Sequence, residues 1–411
     1  MFDQITLSNG LRIIGEPLPH FRSVSVGLWV RSGSQYETAP EAGVSHFIEH
    51  LVFKGTENRS ARQIAEEMDA VGGHLNAFTT KECTCFYTKV VDERLELAID
   101  TLFDMALRPA FDPVELDKER GVVQEEIAMA EDEPEDVAGE LIMLAHYGDQ
   151  PVSRPILGTD GSIAAMPRDV ILDYWRRMYR PGNAVLAVAG HYDWDNVVAL
   201  AEKYMGNWTD EGRESPEPAN HSVPPYALAR EKDIEQVHIC LGYPGISAGD
   251  GRTYELAELN SVFGGAMSSR LFQKVREEMG VAYSVYSYPN SYGDTGMLAV
   301  YAATNPETAE EVLDTLESEA RLMAERGLTE QEFRMAREQL RSSYILGLES
   351  TSHRMQAIGR RLLMENSTRT EEEVIRRIES LRLEDVNALA KELLSAPHST
   401  AMVGRNAKKY I

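Results

Sequence analysis

The chain has 411 residues, enough for two or three domains and too many for one ordinary hydrophobic core. With 43% hydrophobic and 26% charged residues, its composition is that of a globular protein and excludes a disordered or membrane-spanning class. The 41 Lys and Arg against 66 Asp and Glu give a net charge of −25, which argues against nucleic acid as a partner. Such a charge favours cationic peptides or proteins, although it can also serve solubility alone.

The first residues, MFDQITLSNGLRIIGE, predict a strand, an Asn-Gly turn and a second strand. They contain no basic, apolar or Arg/Ser-rich stretch typical of a targeting segment, so we expect a cytoplasmic protein. No run approaches the roughly 18 apolar residues that a membrane span needs, and we expect no association with a membrane.

The stretch GVSHFIEHLVFKGT predicts a helix that carries three polar groups in an apolar run. His46 and His50 are four residues apart and share one helix face, with Glu49 beside them. This H-x-x-E-H order can chelate one Zn²⁺ and place a carboxylate next to its open position, where it can deprotonate water. The alternative is a pair of histidines packed or exposed by accident.

The cysteines do not form a disulfide framework, because their number is odd and the chain is large. Cys83 and Cys85 alternate along a probable strand and share a face. They could be metal ligands, but we expect them to be small buried hydrophobic side chains.

A third metal ligand is expected in ELDKERGVVQEEIAMAEDEPED. Most of its carboxylates fit a solvated acidic face. Glu119 and Glu126 are nearly two helical turns apart, so both project from one face with Val123. One could bind the metal while the other supports it, and periodicity alone does not choose between Glu125 and Glu126.

Residues 209–226, TDEGRESPEPANHSVPPY, have the composition of a linker and separate two halves of similar organisation. We therefore predict an α+β fold made of two homologous domains, each an antiparallel-rich sheet with helices. The N-terminal domain, 1–208, would bind zinc and carry catalysis. The C-terminal domain, 227–411, would lack the zinc ligands.

Aligning the halves shows what the second copy lacks. Leu256, Leu259 and Asn260 stand where the first half has His46, Glu49 and His50. Ala336 and Ser343 stand where it has Glu119 and Glu126. The polar groups are kept in the first copy only, which favours a functional role over a structural one.

Several of these segments together resemble the M16 metallopeptidases, the group of pitrilysin, insulinase and the mitochondrial processing peptidase. The chain is most similar to short bacterial members that resemble the β subunit of the processing peptidase. The resemblance covers essentially the whole chain. It rests on HFIEHLVFKGT, GGHLNAFTT, ERGVVQEE, RPGNAVLAVAG and FGGAMSSRLFQKVREEMGVAYSVYS.

The resemblance implies a role for each matching residue. His46 and His50 would bind one zinc ion per chain, with Glu49 as the general base. The family's spacing selects Glu126 as the third ligand over Glu125, and Glu119 would assist the site. Arg276 and Tyr283 would reach the substrate from the second domain, and Tyr283 would stabilise the oxyanion. An extended peptide would pair with the edge strand, which consists of Leu75, Asn76, Ala77, Phe78 and Thr79.

The resemblance also implies that two such chains form a four-domain peptidase chamber, of which this chain is half. A homodimer and a heterodimer with another M16-like subunit both agree with the sequence. The expected activity is zinc-dependent endoproteolysis of extended or leader-like peptides. The alternatives are a non-catalytic scaffold subunit and a zinc hydrolase acting on something other than peptides.

Overall fold

In a computed structural model of the chain, residues 2–210, 218, 220 and 223–411 are described. Their contacts group them into two compact units. The first unit comprises the described residues of Met1–Ala128, Arg154–Pro218 and Leu346–Thr370. The second comprises those of Met129–Ser153, Ala219–Ile345 and Glu371–Ile411. Most of the predicted linker, 209–226, lies outside the described residues.

The strands of the first unit form a six-stranded sheet. They are β1 (Asp3–Thr6), β2 (Arg12–Pro17), β3 (Ser23–Val30), β4 (His74–Thr79), β5 (Thr84–Val91) and β6 (Ala184–Gly190). The spatial order is β1-β2-β6-β3-β5-β4, with β2 and β6 parallel and all other neighbours antiparallel. The predicted turn between β1 and β2 is confirmed, with Gly10 at a φ of +95°.

The helices follow in chain order through both units. They are α1 (Val44–Val52), α2 (Ala61–Asp69), α3 (Leu95–Leu107), α4 (Pro113–Asp132), α5 (Pro134–Tyr147), α6 (Asp160–Ala165), α7 (Arg168–Met178), α8 (Trp194–Met205), α9 (Thr253–Asn260), α10 (Ala309–Arg326), α11 (Glu330–Gly347), α12 (Thr351–Glu365), α13 (Glu371–Glu379) and α14 (Leu383–Leu394). Two π-helical segments, Ser261–Gly265 and Phe272–Glu278, follow α9.

Both faces of the first sheet are covered, which explains why β3, SVSVGLWV, is apolar with little polar alternation. On one face, side chains such as Leu28 join a core with α1 and α3. On the other face, Trp29 packs with Met355 and Ile358 of α12. The sheet therefore lies between two layers of helix.

The second unit repeats this plan with β7 (Ala227–Glu231), β8 (Val237–Pro244), β9 (Ala282–Ser291), β10 (Gly296–Thr304) and β11 (Ser399–Gly404). Their spatial order is β7-β11-β8-β10-β9, and β7 and β11 are the parallel pair. This matches β2-β6-β3-β5-β4 strand for strand. The predicted duplicated α+β fold is confirmed.

The units differ from a simple division of the chain at the linker. Helix α5, which follows α4 in the first half, packs on β8 and β11 and belongs to the second unit. Helix α12, which follows α11 in the second half, packs on β2, β3 and β6 and belongs to the first unit. Each half thus contributes one helix to the unit of the other half.

All three cysteines are buried and form no disulfide, which confirms the burial predicted for Cys83 and Cys85 and the expected lack of a disulfide framework. No helix among the described residues is long and apolar enough to cross a membrane.

Candidate metal centre

Helix α1 is fixed at its beginning by a buried carboxylate. Gly43 precedes the helix at a φ of +89°, in the left-handed region, where a Cβ would lie 2.6 Å from the Leu157 carbonyl oxygen. Glu37 accepts hydrogen bonds from Gly43 N at 2.7 Å and from Ser45 N at 2.9 Å. Both donors are backbone N–H groups at the start of α1 that have no acceptor within the helix. Glu37, which lies outside α1, therefore caps it.

The ligand atoms of three side chains converge between α1 and α4. His46, His50 and Glu126 each offer one atom, and these atoms lie within 4.8 Å of one another. Glu126 Oε2 is 3.7 Å from His46 Nε2 and 3.4 Å from His50 Nε2. Two ligands on one tetrahedral zinc, each about 2.1 Å from the metal, are about 3.4 Å apart. The arrangement therefore fits a zinc ion bound by two imidazoles and a carboxylate.

The long helix α4 presents its two glutamates as the periodicity predicted. Glu119 and Val123 are buried, whereas the Glu126 side chain is 43% exposed at the end of the same face. Glu125 is exposed, so it is Glu126 that meets the imidazoles. Arg120 ties the two helices together, because its guanidinium lies over the Phe47 ring of α1 at 5.6 Å.

Glu119 is 5% exposed and lies behind His50. Its Oε2 is 3.3 Å from His50 Nδ1, and its Oε1 is 2.7 Å from Lys54 Nζ. A carboxylate at the far nitrogen of a ligand histidine orients the ring and raises its basicity. Lys54 in turn holds Glu119, since it neutralises a charge that would otherwise be buried alone.

The protonation states of the site agree with metal binding. Burial and the neighbouring His50 lower the pKa of His46 to about 4, so this ring is neutral and can act as a ligand near pH 7. Burial raises the pKa of Glu49, whereas the Thr79 hydroxyl and His50 act in the opposite direction. Within the described ranges, His46 Nδ1 is buried without a hydrogen-bond partner.

Glu49 is held by a residue of the neighbouring strand. Thr79, the last residue of β4, donates from Oγ1 to Glu49 Oε2 at 2.5 Å. Strand β4 lies at the edge of the first sheet, and no described strand pairs with its outer side. The predicted edge-strand position of Leu75, Asn76, Ala77, Phe78 and Thr79 is therefore present, next to α1.

Arg276 and Tyr283 lie in the second unit, where they contact each other. The Arg276 guanidinium is 4.5 Å from the centre of the Tyr283 ring and 4.7 Å from that of Phe272. Its Nη1 donates to the Tyr283 carbonyl oxygen at 3.1 Å. Tyr283 is 75% exposed and lines a cavity of about 300 Å³ with Gly264 and Gly265. The assignment of both residues to the substrate stays a prediction.

Two contributors to the site were missed at the level of sequence. Glu37 is six residues before Gly43 and outside the helix, so no capping spacing could reveal it. Lys54 could have been found, because it follows His50 by four residues, the spacing of neighbours on a helix face. Thr79 was predicted as part of the edge strand, but its contact with Glu49 was not.

Fold and site together define a class: a duplicated α+β protein whose first copy carries two histidines and a glutamate arranged for a metal ion. Comparison with known proteins gives the family. Residues 12–160 match the family described as Insulinase (Peptidase family M16), and residues 165–340 match the description Peptidase M16 inactive domain. The chain belongs to the M16 peptidase family.

Relatives of similar length are named zinc proteases. The uncharacterized zinc protease YmxG of Bacillus subtilis is 41% identical over 405 residues, covering 98% of each chain. An uncharacterized zinc protease of Mycobacterium leprae is 43% identical over 411 residues, covering 98% of this chain and 92% of the relative.

Solved structures share the fold. A protease from Helicobacter pylori superimposes with a TM-score of 0.93 at 21% identity, covering 98% of this chain and 99% of that one. A Pseudomonas fluorescens protein described as a peptidase M16 inactive domain gives a TM-score of 0.91 at 18% identity, covering 99% and 98%. At these identities, the likeness establishes the fold alone.

Proposed function

We propose that this protein is a zinc-dependent endopeptidase that cleaves extended peptides. The observation that carries the proposal is the convergence of His46, His50 and Glu126 at distances suited to one tetrahedral zinc ion, with Glu49 on the same helix face. The names of the relatives, which are zinc proteases at about 40% identity, support it.

The positions of the side chains support a division of labour in the first unit. Zinc bound by the three ligands supplies a Lewis acid and lowers the pKa of a water molecule to about 7. Glu49 accepts the proton of the attacking water and passes it to the leaving amine. Glu119 orients His50, and Lys54 keeps Glu119 in place. Arg276 and Tyr283 are assigned to the substrate, with Tyr283 stabilising the oxyanion.

The strand beside the site supports extended peptides as the substrate class. The outer edge of β4 offers main-chain groups that can pair with a peptide in extended conformation. Such pairing is tolerant of sequence, because it uses the peptide backbone. The charge of −25 favours cationic segments, including leader-like peptides. We further propose that two M16-like chains, identical or different, pair to enclose the substrate.

We expect Glu49→Gln to retain zinc and lose turnover. Glutamine preserves the size of the side chain but cannot accept the proton, so kcat should fall by a factor on the order of 10² to 10⁴. Zinc content is measured by atomic emission, and turnover with a quenched fluorescent peptide. His50→Ala should lose both, since it removes a ligand.

The control for Glu49→Gln and His50→Ala is Glu125→Gln, which removes an exposed carboxylate from α4. It should leave zinc content and turnover unchanged. A chelator should abolish cleavage in the wild type, and added zinc should restore it. Near-normal cleavage by Glu49→Gln would refute the role of the base. A wild-type protein that binds zinc but cleaves nothing in a mixed peptide pool, monitored by mass spectrometry, would favour a scaffold subunit or a hydrolase for other substrates.

A further inference from the structure

The hydroxyl of Thr79 has one acceptor that matters for the reaction. Thr79 Oγ1 lies 2.5 Å from Glu49 Oε2 and 3.3 Å from Thr84 Oγ1. Thr84 already donates its own proton to the Ser32 carbonyl oxygen at 2.9 Å. Thr84 therefore cannot donate to Thr79, and of the two acceptors left for the Thr79 proton the Glu49 carboxylate is the nearer and the stronger.

Among the described residues, this contact is the hydrogen bond that holds the Glu49 side chain. Glu49 lies on the partly exposed face of α1, and its rotamers include some that point away from the two imidazoles. A hydrogen bond to one carboxylate oxygen holds the group and leaves the other oxygen for the proton of water. A hydrogen bond to an ionised carboxylate is stronger than one between neutral groups.

The same residue ends the strand assigned to the peptide. Thr79 pairs through its backbone with Thr84 at the end of the β4 and β5 ladder, while the outer side of β4 is unpaired. One residue thus belongs to the proposed peptide-binding edge through its main chain and to the general base through its side chain. A peptide bond aligned with this end of β4 would have a defined position relative to Glu49.

We propose that Thr79 is a positioning residue, whose hydroxyl holds the Glu49 carboxylate in place and ties the general base to the strand that receives the peptide. This rests on the proposed peptidase function. The hydroxyl acts through Glu49, since its hydrogen-bond partners among the described residues are Glu49 and Thr84.

The kinetic test compares Thr79→Val, which has nearly the same shape and no hydroxyl, with Thr79→Ser, which keeps the hydroxyl. We expect Thr79→Val to lower kcat by about tenfold or more, the range of effects on general-base catalysis, with KM within about twofold. Zinc content should be unchanged, and Thr79→Ser should recover most of kcat. A merely structural role would not separate kcat from KM or be rescued by serine.

The matched control is Thr88→Val. Thr88 lies on β5, opposite Leu75, and its buried hydroxyl has no hydrogen-bond partner among the described residues. The same change there should leave kcat and KM at wild-type values. The proposal is overturned if Thr79→Val has the wild-type kcat, if its loss lies in KM alone, or if Thr79→Ser is as slow as the valine variant.

A second measurement does not depend on peptide cleavage. In the zinc-free protein, unfolding of wild type, Thr79→Val, Glu49→Gln and the double variant forms a thermodynamic cycle. We expect the two changes to be non-additive, because Thr79→Val removes the donor of this hydrogen bond and Glu49→Gln replaces its charged acceptor by a weaker, neutral one. Additive effects overturn the link between Thr79 and Glu49. If the cycle shows coupling but the wild type cleaves no peptide, the proposed function fails while the contact stands.

Discussion

Glu37 is a single residue on which the position of the metal-binding helix depends. It is 1% exposed, and its two oxygens accept from the backbone of Gly43 and Ser45. Burial raises the pKa of Glu37 from 4.5 to about 7, and Glu41 adds to the rise, although the backbone hydrogen bonds oppose it. The carboxyl group therefore titrates near neutral pH while it caps α1.

We expect the stability contributed by Glu37 to fall as pH rises. Between pH 4.5 and about 7 the folded protein keeps a proton on Glu37 that the unfolded chain releases, so the free energy of unfolding decreases across this window. The full effect is on the order of 3 kcal/mol, which follows from the size of the pKa shift. Glu37→Gln should lose this slope, and urea unfolding at a series of pH values measures it.

The effect of Glu37 is the difference between the unfolding free energies of wild type and Glu37→Gln at each pH. His46 contributes a slope of the opposite sign, because its pKa is lowered from 6.5 to about 4 and stability is gained as pH rises between these values. Subtracting the Glu37→Gln profile removes this contribution, and Glu125→Gln controls for the loss of one carboxylate. A difference that rises or stays level between pH 4.5 and 7 would contradict the expectation.

At the scale of residues, the sequence predicted those parts of the metal centre that local helix geometry determines. The i, i+4 spacing places His46 and His50 on one face of any helix, whatever surrounds it. The choice between Glu125 and Glu126 was different, because the two neighbouring side chains point about 100° apart and periodicity alone does not show which direction faces the imidazoles. Only the packing of α4, which buries Val123 and exposes Glu125, orients the helix.

At the scale of elements, helix α12 packs on the first sheet through a close approach at Gly359. A Cβ added there would lie 2.2 Å from Nε1 of Trp29 and 2.9 Å from the Ala187 Cβ. Trp29 is 1% exposed and surrounded by the core, so its ring has little room to move. The glycine is therefore required by the distance between helix and sheet, not by its backbone angles.

We expect Gly359→Ala to destabilise the first unit, although alanine is the better helix former. Overpacking against Trp29 costs about 1–3 kcal/mol, which outweighs a gain in helix propensity of up to about 1 kcal/mol. Gly139→Ala on α5 is the matched control, because a Cβ there meets nothing within 4 Å and only the propensity gain applies. In urea unfolding, Gly359→Ala should lower the free energy of unfolding and Gly139→Ala should raise it. A stabilised Gly359→Ala would show that α12 does not pack at this distance.

The exchange of α5 and α12 between the units could not be predicted from the sequence. The apolar positions of a helix show which of its faces is buried. They do not show which of two similar sheets that face packs against, because each sheet here has an apolar face that a helix can cover. The duplication, in contrast, was predictable, since the order of strand and helix patterns repeats along the chain.

At the scale of the whole molecule, the two units have one topology and unequal chemistry. The metal ligands lie only in the first unit among the described residues, and all 4 tryptophans of the chain, Trp29, Trp175, Trp194 and Trp208, belong to that unit as well. Tryptophan fluorescence therefore reports the unfolding of the unit that would bind zinc. The second unit contributes to circular dichroism and calorimetry but not to this signal.

We expect zinc to raise the unfolding midpoint seen by tryptophan fluorescence, because a ligand that binds only the folded state stabilises it. At a free concentration of 100 times Kd the stabilisation is about 2.7 kcal/mol. His50→Ala and Glu126→Gln should weaken or abolish the shift, whereas Glu49→Gln should keep it, since Glu49 is not a ligand. Glu125→Gln, one residue along α4, should behave as wild type. A shift of equal size in wild type and His50→Ala would place the zinc elsewhere in the molecule, and the metal centre between α1 and α4 would have to be abandoned.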